Sequence, residues 1–117
     1  MKPTQLLLAG LMLFISSSLF AQTTKKETIK VWGNCGTCKK HIEKAAISAG
    51  ASHADWNKST KMLQVSYDPE KVSDEAIQKS IAAAGYDTEK FRGDDKAYHA
   101  LDECCQYDRM KSSTSKQ

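Results

Sequence analysis

Excess charge of either sign is missing from this chain. Its 17 lysines and arginines face 14 aspartates and glutamates. Lys2 is the only charged residue among the first 21, so the remainder keeps 16 basic against 14 acidic side chains, net +2. Such near-neutrality argues against a nucleic-acid footprint and against a polybasic membrane surface. After residue 21 there is no apolar run of membrane-spanning length. Proline is nearly absent, occurring only as Pro3 and Pro69, and histidine only as His41, His53 and His99. A length of 117 residues limits the chain to one domain with a modest core. Its 40% hydrophobic and 26% charged content is ordinary for a soluble globular protein.

The one long apolar run lies at the start. Met1-Lys2 gives a short positive opening, Leu6 to Phe20 is apolar apart from Gly10 and Ser16-Ser17-Ser18, and Ala21 precedes Gln22. Residues 1–21 therefore read as a secretory signal peptide cut near Gln22. No cysteine stands at the cut, which argues against a lipoprotein anchor. An uncleaved anchor is the alternative, but the run is short for a stable span. An exported chain, periplasmic if bacterial and without stable membrane insertion once the leader is removed, is the expectation.

The remainder alternates strand and helix signals. Thr28-Ile29-Lys30-Val31-Trp32 predicts a first strand from about Glu27, ended by Gly33-Asn34. Cys38, Ile42, Ala46 and Ala49 then share one helical face, and Gly50 is a left-handed stop. Ser52 to Asn57 and Lys61 to Tyr67 predict two strands joined by the Asn57-Lys58-Ser59-Thr60 turn, the second ended by Asp68-Pro69. Ser73 caps a second helix with Asp74 and Glu75 in its first turn. Ile77, Ile81 and Ala84 form its buried stripe, and Gly85 stops it. Tyr86 to Phe91 predicts a last strand. The order β-α-β-β-α-β is an α+β, ferredoxin-like arrangement. Two helices should cover one face of a four-stranded antiparallel sheet. This domain is expected over residues 22–92, followed by a C-terminal tail, residues 93–117, with a short helix within Asp94 to Leu101 and a disordered end from Lys111.

The cysteines carry the chemistry. Cys35-Gly36-Thr37-Cys38 falls where the first strand hands over to the first helix. Two sulfurs three residues apart at a helix N-terminus can converge on one point, and the dipole there favours thiolate. An open soft pair suits Cu(I), and also Zn(II), Cd(II) or Hg(II). A structural zinc site would need four closed ligands, and this pair supplies two. A plain disulfide fits an exported protein, yet so short a loop removes little chain entropy. A thiol-disulfide oxidoreductase is the sharper rival, since thioredoxin-like enzymes also carry CxxC between strand and helix. That rival wants a proline beside the cysteines ahead of a later strand. Pro69 sits in a strand-ending turn instead.

The stretch Val31-Trp32-Gly33-Asn34-Cys35-Gly36-Thr37-Cys38 with Lys39-Lys40-His41-Ile42-Glu43-Lys44-Ala45 resembles the heavy-metal-associated domain family of metal chaperones and transporter domains. Gly85-Tyr86 is similar to the family's glycine-aromatic pair beside the metal loop. The resemblance spans about Glu27 to Arg92. It implies Cys35 and Cys38 as ligands, Cu(I) transfer by thiolate exchange without enzymatic catalysis, and a metal-transporting ATPase or efflux component as partner. The chain departs from the family's Gly-Met-x-Cys pattern: Gly33-Asn34-Cys35 is one residue shorter and lacks the methionine that packs under the loop. Trp32 is the expected filler of that space.

Other side chains take plainer readings. His41, His53 and His99 are expected at the surface or rim, Met62 toward solvent, and Met110 as a weak thioether candidate. Trp56 and Tyr67 are expected in packing. Lys39 and Lys40 are expected on a solvated face, with a capacity to steer an acidic partner. Cys104-Cys105 leaves several readings open: idle thiols, an intermolecular disulfide, a separate tail site, or added ligands for Cys35 and Cys38. The last needs the chain to come back. A six-residue final strand running away from the loop ends about 20 Å off, and an extended 11-residue return reaches about 35 Å.

Overall fold

The structure, a computed structural model, describes residues 23–109. The leader and the expected disordered end, with Met110, lie outside the described residues. Strand β1 (Lys25–Lys30) leads to helix α1 (Gly36–Ala49), strands β2 (His53–Trp56) and β3 (Met62–Tyr67), helix α2 (Asp74–Ala83), and a short helix α3 (Asp95–His99). A 3-10 turn over Glu103–Cys105 follows.

The sheet runs β1-β3-β2, with both pairings antiparallel. Ile29 faces Leu63 and Trp56 faces Leu63 across the ladders. Period-two alternation puts Leu63, Val65 and Tyr67 on the inner face, with Met62 and Gln64 outward. That inner face meets Cys38, Ile42 and Ala46 of α1 and Ile77 and Ile81 of α2, all buried in one core. Both helices end as their sequences require. Gly50 (φ 123°) closes α1, and Ser73 caps α2 by accepting the Ala76 N–H at 3.0 Å.

The expected fourth strand is cut to a single bridge. Val31 pairs with Thr88, flanked by hydrogen bonds from Trp32 N–H to the Asp87 carbonyl and from Glu89 N–H to the Lys30 carbonyl. Residues 87–89 thus hold the fourth position beside β1, but the described sheet has three strands. The cause is a turn closed at both ends. Thr88 N–H donates to the Phe91 carbonyl, and Phe91 N–H donates to Thr88 Oγ1. Gln78 accepts the Lys90 N–H at 3.0 Å, and Asp74 pairs with Lys90 Nζ at 2.8 Å, drawing the turn onto α2.

The chain therefore never runs out along the sheet, and the long return expected from a full strand is not needed. Gly93 doubles back against the α2 stop; a Cβ there would lie 2.8 Å from the Gly85 carbonyl carbon. Asp94 N–H reaches the Ala82 carbonyl at 2.9 Å, and Asp94 then caps α3. Gly85 takes φ 104°, and a Cβ on it would meet the Tyr98 backbone nitrogen at 2.9 Å. Two glycines at this crossing let α3 pack directly on the end of α2.

Candidate metal centre

The loop between β1 and α1 sets the first two cysteines. Cys35 is the N-cap of α1, with extended backbone and no side-chain cap bond, so its sulfur is left to other partners. Its carbonyl accepts the Lys39 N–H at 3.0 Å. Cys38 follows in the first turn and is fully buried, with the Asn34 N–H directed at its Sγ from 3.4 Å. The two sulfurs lie 3.6 Å apart.

The loop rests on residues that sequence reasoning did not connect to it. Trp56, buried at the end of β2, lies against Gly33: a Cβ on that glycine would sit 3.0 Å from the indole ring. The indole N–H donates to the Val31 carbonyl at 2.9 Å. Trp56, rather than Trp32, therefore occupies the space under the loop; Trp32 is half-buried with Lys30 Nζ over its ring. Lys61 Nζ donates to the Gly33 carbonyl at 2.6 Å. Lys39 is not a free steering charge. It is held by Asp55 at 2.7 Å, by Glu43 and by the Trp56 carbonyl. Lys40 is exposed, as expected. His41 lies on the rim, its Nδ1 2.9 Å from the hydroxyl of the buried Tyr86.

The folded segment 94–109 returns the second cysteine pair to the first. Cys35 Sγ lies 3.3 Å from Cys104 Sγ and 3.7 Å from Cys105 Sγ. Cys105 is fully buried, whereas Cys104 is exposed. The sulfurs of Cys35, Cys38 and Cys105 all lie within 4.8 Å of one another. All four cysteines are free thiols. Of the readings left open for the tail pair, a separate tail site does not fit this juxtaposition.

A polar and aromatic lock fixes the returning segment. Tyr107 stacks on Tyr86 with centroids 5.8 Å apart. Its buried hydroxyl accepts the Asp87 N–H and donates to the Gly85 carbonyl, each at 2.8 Å. Tyr98 packs edge-on against Tyr107 and donates to its carbonyl at 2.7 Å. Arg109 covers the Tyr98 ring and reaches Asp87, Asp95 and the Gly93 carbonyl. Asp87 is buried and also accepts the Gly93 N–H at 2.7 Å.

Cys35 and the two tail thiols do not ionise alike. Burial opposes ionisation of Cys35, but hydrogen bonds with the Cys38 backbone N–H, the Cys104 and Cys38 side chains and the Thr37 N–H prevail, lowering its pKa to about 6. Cys104 is pushed up, first by its hydrogen bond with Cys35. Burial pushes Cys105 up. Burial and hydrogen bonding to Cys105 likewise keep the Tyr86 hydroxyl protonated. The cluster therefore sets Cys35, drawn toward thiolate, against Cys104 and Cys105, which are held toward the neutral thiol. Its donors are all soft sulfurs, which fit Cu(I) and its soft relatives better than hard cations.

Comparison with known proteins follows the same residues. The profile of the Heavy-metal-associated domain matches residues 34–87. The solved structure described as CopZ metallochaperone is 33% identical, with TM-score 0.52, covering 55% of this chain and 98% of its own. Oxidized MerP from Ralstonia metallidurans CH34 is 30% identical, with TM-score 0.54, covering 57% of this chain and 96% of its own. A copper binding domain from HMA7, a P-type ATPase, is 29% identical, with TM-score 0.53, covering 55% and 89%. No significant match is found among curated protein sequences. The profile match ends before Cys104 and Cys105.

Proposed function

The chain belongs to the heavy-metal-associated domain family, and from that premise we propose that it is an exported carrier or buffer of a soft metal ion, Cu(I) before Zn(II), Cd(II) or Hg(II). The observation that carries this reading is the Cys35–Cys38 pair, 3.6 Å apart at the start of α1, with Cys35 drawn toward thiolate. In this reading the ion is cargo, bound by Cys35 and Cys38. A thiolate of the partner protein bonds to the ion first. One original sulfur then leaves and takes up a proton, so no naked ion forms and no substrate is chemically altered.

The partner is proposed as a metal-transporting ATPase or efflux component. The similar structures support this choice, since they include a copper binding domain of a P-type ATPase. No helix among the described residues is long and apolar enough to cross a membrane. Location outside the cytoplasm, periplasmic in a bacterium, rests on the reading of residues 1–21 as a signal peptide. Thiol-disulfide oxidoreductase activity is the weaker reading. Pro69 lies in the exposed turn between β3 and α2, and two of the similar structures are described as a metallochaperone and a copper binding domain.

Competition for Cu(I) against a chromophoric chelator tests the proposal. Cys35→Ser combined with Cys38→Ser should lower affinity by several orders of magnitude while circular dichroism stays native. Unchanged competition in that double variant would refute it. Intact mass spectrometry of exported protein tests location. A chain beginning near Gln22 is expected, and one retaining Met1 in soluble cytosol would contradict export.

A further inference from the structure

The family pattern supplies two sulfurs, yet this chain folds a third against them from outside the matched region. Cys105 is fully buried, 3.7 Å from Cys35, and within 4.8 Å of Cys38. An ion about 2.3 Å from each of three sulfurs in a plane would set those sulfurs about 4 Å apart. The three sulfurs are thus close to trigonal spacing before any ion arrives. Segment 94–109 is not loosely laid over the loop. Its position is over-determined by the Tyr107 hydroxyl bonds, the Tyr86–Tyr107 stack and the Arg109–Asp87 pair. Cys104 differs from its neighbour: it is exposed and touches Cys35 from the solvent side.

We propose that Cys105 is the third ligand of a trigonal Cu(I) site with Cys35 and Cys38, completed by the C-terminal segment acting as a strap. This rests on the carrier reading above and specifies how its site holds the ion. Three thiols bind one Cu(I) and release their remaining protons, with no change in oxidation state. Cys104 stays outside the ligand set, on the face where a partner thiolate would approach. A strapped site holds its ion against exchange more firmly than an open pair. The chain then acts as a retaining carrier, which yields its ion to a partner able to displace a buried sulfur.

X-ray absorption on fully reduced mature protein, loaded with one equivalent of Cu(I) and taken from the monomeric fraction, counts the sulfurs. Three are expected in the wild type and in Cys104→Ser, and two in Cys105→Ser. Transfer of Cu(I) to a chelator should be at least about tenfold faster from Cys105→Ser than from the wild type. Two sulfurs in the wild type would overturn the strap site while leaving the carrier reading intact, and this count needs no variant to fold. A count of four, or a fall to two in Cys104→Ser, would overturn the assignment to Cys105. A wild type that takes up no Cu(I) would sink the carrier reading and the strap site together.

Discussion

Asp87 and Arg109 illustrate how much rests on single side chains outside the cysteines. Asp87 is fully buried, and the Arg109 guanidinium meets it at 2.7 Å with its own side chain only 13% exposed. Removing one partner of a buried pair strands the other charge and costs about 3–5 kcal/mol. Arg109→Ala should therefore loosen the strap, read as lost hydrogen-exchange protection at Tyr107 with protection at Leu63 and Val65 retained. Equal protection at Tyr107 in the variant would contradict the lock. Asp74 acts on acid stability. Burial opposes its ionisation, but Lys90 and Gln78 hold its carboxyl below the usual carboxylate range. A lowered folded-state pKa means the unfolded chain binds the proton more readily, so this stabilisation is present near neutral pH and fades as pH falls through the carboxylate range. Asp74→Asn should lose stability at neutral pH and show a shallower fall on acidification; an unchanged acid profile would count against the pairing.

At the scale of elements, the helices and the first three strands were legible in the sequence because their signals are local. Ser73, Gly50 and the alternation of Leu63, Val65 and Tyr67 each act within a few residues. The fourth strand was not legible. Tyr86, Thr88 and Phe91 suit a strand, but Gln78 and Asp74 of α2 capture Lys90, and Thr88 closes on Phe91. Those contacts are tertiary and leave no periodic trace. The residue under the loop escapes a local reading for the same reason: Trp56 stands 23 positions from Gly33 in sequence yet touches it, whereas Trp32 is its neighbour only along the chain. The crossing of α2 and α3 gives a test at this scale. Gly93→Ala would place a methyl 2.8 Å from backbone that has little room to move. Overpacking of this kind costs about 1–3 kcal/mol, so thermal unfolding should fall by several degrees and the strap should lose protection first. An unchanged melting temperature would show that the crossing is less tight than described.

Across the whole molecule, the two cysteine pairs lie 69 positions apart between Cys35 and Cys104, yet they meet at one end of the fold. CxxC at a helix start is a local signal that the sequence shows by itself, whereas the placement of the tail pair depends on where the last strand ends. Once that strand is shortened to one bridge, a short α3 and a 3-10 turn suffice to return Cys105 to the loop. The core beneath is shared by both helices, the sheet and the strap, with Cys105 and Tyr107 among its members. Metal site and fold are therefore coupled, and metal loading should raise the melting temperature of the wild type. Metal analysis of the protein, purified from its native cell under reducing and anaerobic conditions, is the decisive test of soft-ion binding at this site. Copper is expected at about one ion per chain, and its loss when Cys35 and Cys38 are both replaced by serine. Protein free of soft metal that also turns over a disulfide substrate would contradict it.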